Sequence, residues 1–439
     1  MLLVLSTCAP APESATPERV ILIVVDTLRR DHLSSYGSQL PTPNIDRIAE
    51  RGQVFTHMMA SYHQTSMSMA SLFTGRTPSI EFGTLERPLF WNGETWCGLA
   101  RFAKEGSDAA CIPPTVPTLA GGMADAGYWT VGIASNQFLY EPSGYSRGFA
   151  DWMEVGEQPL EEGAIGRIGL KNAPTTRSWR IVDEAVFEAL ERRESDRFFL
   201  YVHYMDVHDY GFERIPYAQA VRQVDQAIGS LLDGLEERGW LEDALVVFTA
   251  DHGERLTERH SIVGHTGHVG NPSFQEVLEV PLLVAPPTER DPDAPIRTED
   301  LYRLILEAVG APSPRSSELE PGELLLTETE YRTYIRDSWK TVIRRSDSAQ
   351  QLFDLSADPM ELHDLAAQRP EIVEALSSRV ADLSGQLSAR RAVLERISPM
   401  DRARLRALGY GYAGGDDGQD DRTNGAHDSG NADEAAPLQ

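Results

Sequence analysis

The sequence predicts a three-layer α/β/α sandwich with a mostly parallel central sheet, plus a smaller C-terminal α+β subdomain. Three observations carry that expectation. Residues 20–25 and 244–250 are apolar, β-branched runs bounded by polar residues, the signature of strands buried on both faces. Helical and strand periodicities alternate between them, as in a sheet covered by helices on both sides. After Glu323 the pattern changes to short, polar-alternating strands and a closing helix.

Each element has its own reason. Residues 42–52 open on a polar residue, carry Pro43 in the first turn and stop at Gly52, which are helix start and stop signals. Residues 64–75 start polar, turn helical and stop at Gly75. Residues 116–127, 180–194 and 217–238 have apolar positions at helical spacing, and each is followed by a strand pattern, at 128–134, 198–204 and 245–250. A further strand at 280–284 leads into the break Ala285-Pro286-Pro287. Strands at 328–333 and 340–344 and a helix at 370–387 make up the smaller subdomain. The expected organisation is an export remnant or lipoprotein linker at 1–18, the α/β domain at 19–323, the subdomain at 324–412 and a disordered acidic tail at 413–439.

With 439 residues, 41% apolar and 24% charged, the composition is that of a globular chain too long for one core. A net charge of −27 argues against nucleic acid as a partner, since phosphate backbones need cationic surfaces. Residues 414–439 hold seven acids against one Arg, which concentrates −6 of that charge in the tail. No apolar stretch reaches the roughly 20 residues needed to span a bilayer. The start, through Leu5-Ser6-Thr7-Cys8-Ala9, resembles the end of an export signal with a lipoprotein box whose Cys8 would carry lipid. That reading places the protein outside the cytoplasm, in a bacterial periplasm or envelope. There Cys97 and Cys111 are expected to pair; in cytosol they would be two small buried residues.

The chemistry begins at the strand ends. Asp26 closes the first apolar run, and Asp251 with His252 closes the second. Ligands of open α/β sheets gather beyond the carboxyl ends of the strands, so these three should converge on one divalent cation. A nucleophile is sought at the start of the 64–75 helix, where unpaired N–H groups attract anions. The helix dipole supplies at most about 2 kcal/mol, or roughly 1.5 pKa units, too little to activate an alcohol. Thr65 must therefore touch the metal if it is to attack; its bland alternative is a helix N-cap.

These residues carry a resemblance. Val24-Val25-Asp26-Thr27-Leu28-Arg29-Arg30-Asp31, then Thr42-Pro43-Asn44-Ile45-Asp46, then Leu72-Phe73-Thr74-Gly75, resemble the N-terminal signature of the sulfatase family in the alkaline-phosphatase-like superfamily. Thr249-Ala250-Asp251-His252-Gly253-Glu254, Leu352-Phe353-Asp354-Leu355 with Asp358-Pro359, and Leu405-Arg406-Ala407-Leu408-Gly409-Tyr410 continue it in order. The resemblance implies that Asp26, Asp251 and His252 hold the metal with Thr65 at the nucleophile position. It gives His208 and His268 catalytic roles, with His265 and Asn136 contacting substrate.

The departures narrow the chemistry. Members with the full motif carry Cys-x-Pro-Ser-Arg, or Ser in place of Cys, and oxidise the first residue to formylglycine; here the positions read Thr65, Met67, Ser68 and Met69. A threonine cannot yield that aldehyde, and Met69 removes a cation. The second Asp of the family's Asp-Asp pair is Thr27. The set Asp, Thr, Asp, His more closely resembles the phosphodiesterase and phosphoglycerol transferase branch. The expected activity is a hydrolase of sulfate or phosphate esters with a metal-bound Thr65 and one Ca, Mn or Zn ion. The alternatives are a phospho-group transferase on the same site, or an inactive sulfatase-like binding protein. The substrate is expected to be a small-molecule, glycan or lipid ester. Asp206 with His208 could instead begin a second metal site, Glu254 could orient His252, His203 reads as a packed core residue, and Asp31 and Asp46 read as helix caps.

Overall fold

Six consecutive apolar residues fix the centre of the molecule. In a computed structural model of the chain, Val20 through Val25 have no solvent exposure, so their strand is covered on both faces and paired along both edges. The structure describes residues 16–77, 112–155, 179–313 and 319–384, apart from positions 113, 115, 137, 140, 263–265, 269–272, 328–330 and 345. The expected Cys8 anchor, the Cys97 and Cys111 pair, His265 and the acidic tail lie outside the described residues.

The main body runs β1 (Arg19–Val25), α1 (Pro43–Arg51), β2 (Gln53–Val54), β3 (Met58–Met59), α2 (Thr65–Thr74), α3 (Leu119–Asp125), β4 (Trp129–Ala134) and β5 (Asp151–Glu154). It continues through α4 (Trp179–Glu191), β6 (Phe198–Tyr204), α5 (Tyr210–Glu213), α6 (Tyr217–Glu237) and β7 (Ala244–Ala250). Then come α7 (Gln275–Leu278), β8 (Leu282–Ala285), β9 (Ile296–Arg297) and α8 (Thr298–Ala308). Seven strands form one sheet in the order β2-β8-β7-β1-β6-β4-β5, parallel from β7 to β5, with β8 antiparallel to β7 at one side. Helices α1, α4 and α6 pack together in one layer, and α2, α3 and α8 in the other. This is the expected sandwich.

Register decides where the site falls. Val25 of β1 stands level with Tyr204 of β6 and Ala250 of β7. The next residues, Asp26 and Asp251, therefore emerge side by side at the carboxyl edge of the sheet, where ligands of such sheets gather. The apolar stripe of α6, from Val221 and Val224 to Ile228, Leu231 and Leu235, faces the core at helical spacing. Its Asp225 reaches out to accept the backbone N–H groups of Asn44 (3.0 Å) and Ile45 (2.9 Å), so α1 is capped from outside. Asp46, expected as a cap, accepts the Ser34 hydroxyl, and Asp31 pairs with Arg29.

The smaller subdomain is an antiparallel sheet of β10 (Glu323–Thr327), β11 (Tyr331–Arg336), β12 (Trp339–Arg344) and β13 (Gln350–Asp354), backed by α9 (Pro370–Ser384). Alternation along β10 splits its side chains: Leu324 and Leu326 join the main core while Leu325 meets Leu376 and Val380 of α9. Strand β11 is described from Tyr331, residues 328–330 of the expected strand lying outside the described residues, and β5, α8, β10 and β13 had no counterpart in the sequence reading. Among the described residues no helix is long and apolar enough to cross a membrane.

Candidate active site

Helix α2 is buried at every position, which is unusual for a segment with five hydroxyl residues. Two of its hydroxyls are satisfied within the helix: Ser71 and Thr74 donate to the carbonyls of Met67 and Ala70 one turn back. Ser68 donates to the Asp251 carbonyl at 2.6 Å, and the Tyr145 hydroxyl donates to the Ser66 carbonyl. The helix is thus pinned to the end of β7. It stops at Gly75, whose φ of +67° and closeness to the Tyr302 ring leave no room for a side chain.

Thr65 is the first residue of α2 and does not act as its cap. Its hydroxyl donates to Asp26 Oδ2 at 3.1 Å and stands 3.4 Å from His252 Nε2. Asn136, just past β4, donates to the same Asp26 oxygen at 2.8 Å and accepts the Phe138 N–H with its own Oδ1. Asp251 Oδ1 accepts two backbone N–H groups, from Thr27 at 3.1 Å and His252 at 2.8 Å. To give that bond Thr27 adopts a φ of +57°, strained for a β-branched residue. The Thr27 hydroxyl turns back to the Asp26 carbonyl.

The charges are poised for a cation. Asp26 and Asp251 are wholly buried, and Asp26 Oδ1 and Asp251 Oδ2 have no hydrogen-bond partner. Burial and the neighbouring Asp251 carboxylate push Asp26 above the usual carboxylate range; burial raises Asp251 to about 6. His252 Nδ1 lies 2.9 Å from the Gly253 carbonyl, so it donates there and leaves the Nε2 lone pair facing the carboxylates. Burial, then the nearby His268, lowers His252 to about 3, keeping the imidazole neutral. Donor atoms of Asp26, Asp251 and His252 all lie within 4.8 Å of one another. Two unpaired buried carboxylate oxygens and a neutral imidazole fit a divalent ion, because either carboxylate alone would be costly to bury. Gly253 is required by packing: a Cβ there would sit 2.1 Å from the Glu276 carbonyl.

Two further histidines face this centre. His268 lies tilted against His252, with ring centroids 4.4 Å apart, and the His208 ring centroid lies 5.8 Å from that of His268. Glu254 orients His268, not His252: its Oε2 is 3.2 Å from His268 Nδ1. Burial raises Glu254 to about 7. His208 Nδ1 meets Asp209 at 3.1 Å. His203, read as a packed core residue, is fully buried on β6 but stands with Nε2 3.7 Å from Asp26 Oδ2, and sequence reasoning gave no role to the buried His63, two residues before Thr65. Only their short offsets from Asp206 and Thr65 could have pointed to them. Asp206 accepts the Trp179 N–H at the start of α4 with Oδ1 and is not among the residues whose donor atoms gather with Asp26, Asp251 and His252. Met69, without solvent exposure, packs in the main core.

Paired carboxylates, an imidazole and an alcohol thus gather at the carboxyl edge of the sheet, a donor set suited to ester hydrolysis. Comparison with known proteins makes the class specific. A family model described as "Sulfatase" matches residues 18–311, and the chain belongs to the sulfatase family. It is 23% identical to an N-acetylgalactosamine-6-O-sulfatase of Bacteroides thetaiotaomicron, over 83% of this chain and 93% of that one. It is 28% identical to bovine arylsulfatase K, spanning 37% of this chain and about a third (34%) of that relative's length. Similar folds include Ps i-CgsB in complex with k-i-k-neocarrahexaose (TM-score 0.61, 18% identity, 90% of this chain and 97% of that one). The phosphonate monoester hydrolase of Agrobacterium radiobacter is also similar (TM-score 0.60, 16% identity, 84% and 96%).

Proposed function

We propose that the chain hydrolyses sulfate or phosphate esters with Thr65 as the attacking group. One divalent ion, Ca²⁺, Mn²⁺ or Zn²⁺, would be held by Asp26, Thr65, Asp251 and His252. The observation that carries this reading is the Thr65 hydroxyl, turned away from the helix it begins and toward Asp26 and His252. When bound, the ion supplies positive charge that favours a deprotonated alcohol and offsets the charge of the ester oxygens.

The rest is work for the chain's own residues. Thr65 Oγ1, held against Asp26 Oδ2, gives up its proton to water and forms a bond to sulfur or phosphorus. The leaving alcohol takes a proton from His268, held by Glu254, as its bond to the central atom breaks. His208 is the second candidate for that proton. Water then attacks the covalent intermediate, giving its proton to the imidazole and releasing Thr65. Asn136 and the N–H groups at the start of α2 steady the ester oxygens.

Similarity to a glycan sulfatase and to a structure complexed with neocarrahexaose supports a glycan or other small-molecule ester, and the phosphonate hydrolase fold supports phosphorus as well as sulfur. The lipoprotein-like start supports an extracytoplasmic site of action with Cys8 as anchor. Thr65→Ala tests the reading: hydrolysis of a panel of sulfate and phosphate esters should vanish while the protein still melts cooperatively. Undiminished turnover would end the case for this nucleophile.

A further inference from the structure

The segment that carries His268 has both ends tied to one residue of the smaller subdomain. At its start the Ser261 N–H donates to the Glu361 carbonyl at 3.0 Å. At its end the Gln275 N–H donates to Glu361 Oε1 at 2.9 Å. The same oxygen accepts from Lys340 Nζ on β12 at 2.8 Å, and that ammonium also donates to the Ser273 carbonyl at 2.7 Å. Neither Lys340 nor Glu361 has any solvent exposure. His260, stacked on Phe274 with centroids 3.9 Å apart, adds contacts to the Met360 carbonyl and to Glu276.

A buried ion pair is a poor device for stability alone, because desolvation offsets most of its attraction. Glu361 also sits at a φ of +56°, a conformation that non-glycine residues keep only when their surroundings demand it. Both features meet where the chain leaves for His268 and returns. The metal-ligand candidates Asp26, Asp251 and His252 are held differently, at the ends of β1 and β7 in the parallel ladder.

We infer that Lys340 and Glu361 are positioning residues for His268, closing the base of its segment so that the imidazole keeps its place against Glu254 and His252. The inference rests on the proposed function in giving His268 a proton to deliver. It makes the smaller subdomain part of the catalytic apparatus.

The test is the apolar pair Lys340→Met with Glu361→Leu, which removes both charges together so that neither is left unpaired, with Glu361→Gln as a milder second variant. Amide exchange across residues 261–276 should accelerate while β1 and β7 stay protected. For an ester with a poorly acidic leaving alcohol, kcat should fall about 10-fold or more, with KM and bound metal unchanged. Adding His268→Ala to the pair should lower kcat no further than His268→Ala alone. Unchanged exchange, wild-type kcat in the pair, or losses that multiply would overturn the inference. A slow His268→Ala enzyme beside a fully active pair variant would defeat only this inference. A fully active His268→Ala enzyme would defeat the proton-donor reading and the inference with it.

Discussion

Replacing Glu254 by Gln keeps the shape of the group behind His268 and removes its charge. Glu254 Oε2 is 3.2 Å from His268 Nδ1, and the two side chains are 5% and 3% exposed, so water does not substitute for the contact. A hydrogen bond to a charged partner contributes about 1.5–3 kcal/mol and a neutral one about 0.5–1.5. The exchange should therefore cost about 1–1.5 kcal/mol of transition-state stabilisation, about 5- to 13-fold in rate. The loss should fall on esters whose leaving alcohol needs a proton, and much less on esters of acidic phenols. The assay is kcat for both ester types at several pH values. Burial holds Glu254 near 7 and keeps the His268 imidazole neutral, so the pair carries a transferable proton only while Glu254 holds it. The wild-type advantage over Glu254→Gln should thus narrow from pH 6 to pH 8. Equal losses for both leaving groups, or a pH-independent ratio, would refute the dyad.

Two predictions concern stability. Asp183 is buried beneath the Tyr204 hydroxyl (2.7 Å), and burial raises it to about 6, so the folded chain holds a proton there that the unfolded chain releases near pH 4. Its contribution is complete below about pH 4 and lost as pH rises through 6, at most roughly 3 kcal/mol. Asp183→Asn should gain on the wild type between pH 4.5 and 7.5 in urea unfolding; a constant difference would contradict this. Gly75→Ala should lower stability by about 1–3 kcal/mol, since it forces a left-handed alanine with its Cβ 2.8 Å from Tyr302 Cδ1, and an unchanged melting temperature would contradict that.

The strands that build the site were legible because burial on both faces writes itself as an unbroken apolar run, as in β1 and β7. The acids at their ends followed from the same pattern. Half-buried pieces were not: β5, with the sequence Asp-Trp-Met-Glu and every residue partly exposed, has no periodicity to read. Helix α8 did carry helical spacing at Leu301, Leu304 and Ile305, but it follows a proline-rich break that reads as connection. The partner of Glu254 could not be read at all. His252 is satisfied by the adjacent Gly253 carbonyl, which frees Glu254 for a histidine that returns through a long segment. Thr65 was readable as either nucleophile or cap; Gln64 holds the cap position, and the Thr65 hydroxyl points toward Asp26.

The central claim is that Asp26, Asp251, His252 and Thr65 share one cation. Anomalous diffraction from crystals grown with Mn²⁺ tests it most directly. The account predicts a single strong peak with Asp26 Oδ1, Asp251 Oδ2, His252 Nε2 and Thr65 Oγ1 each within about 2.0–2.5 Å. A peak that excludes the Thr65 hydroxyl, or none between the two carboxylates, would contradict it.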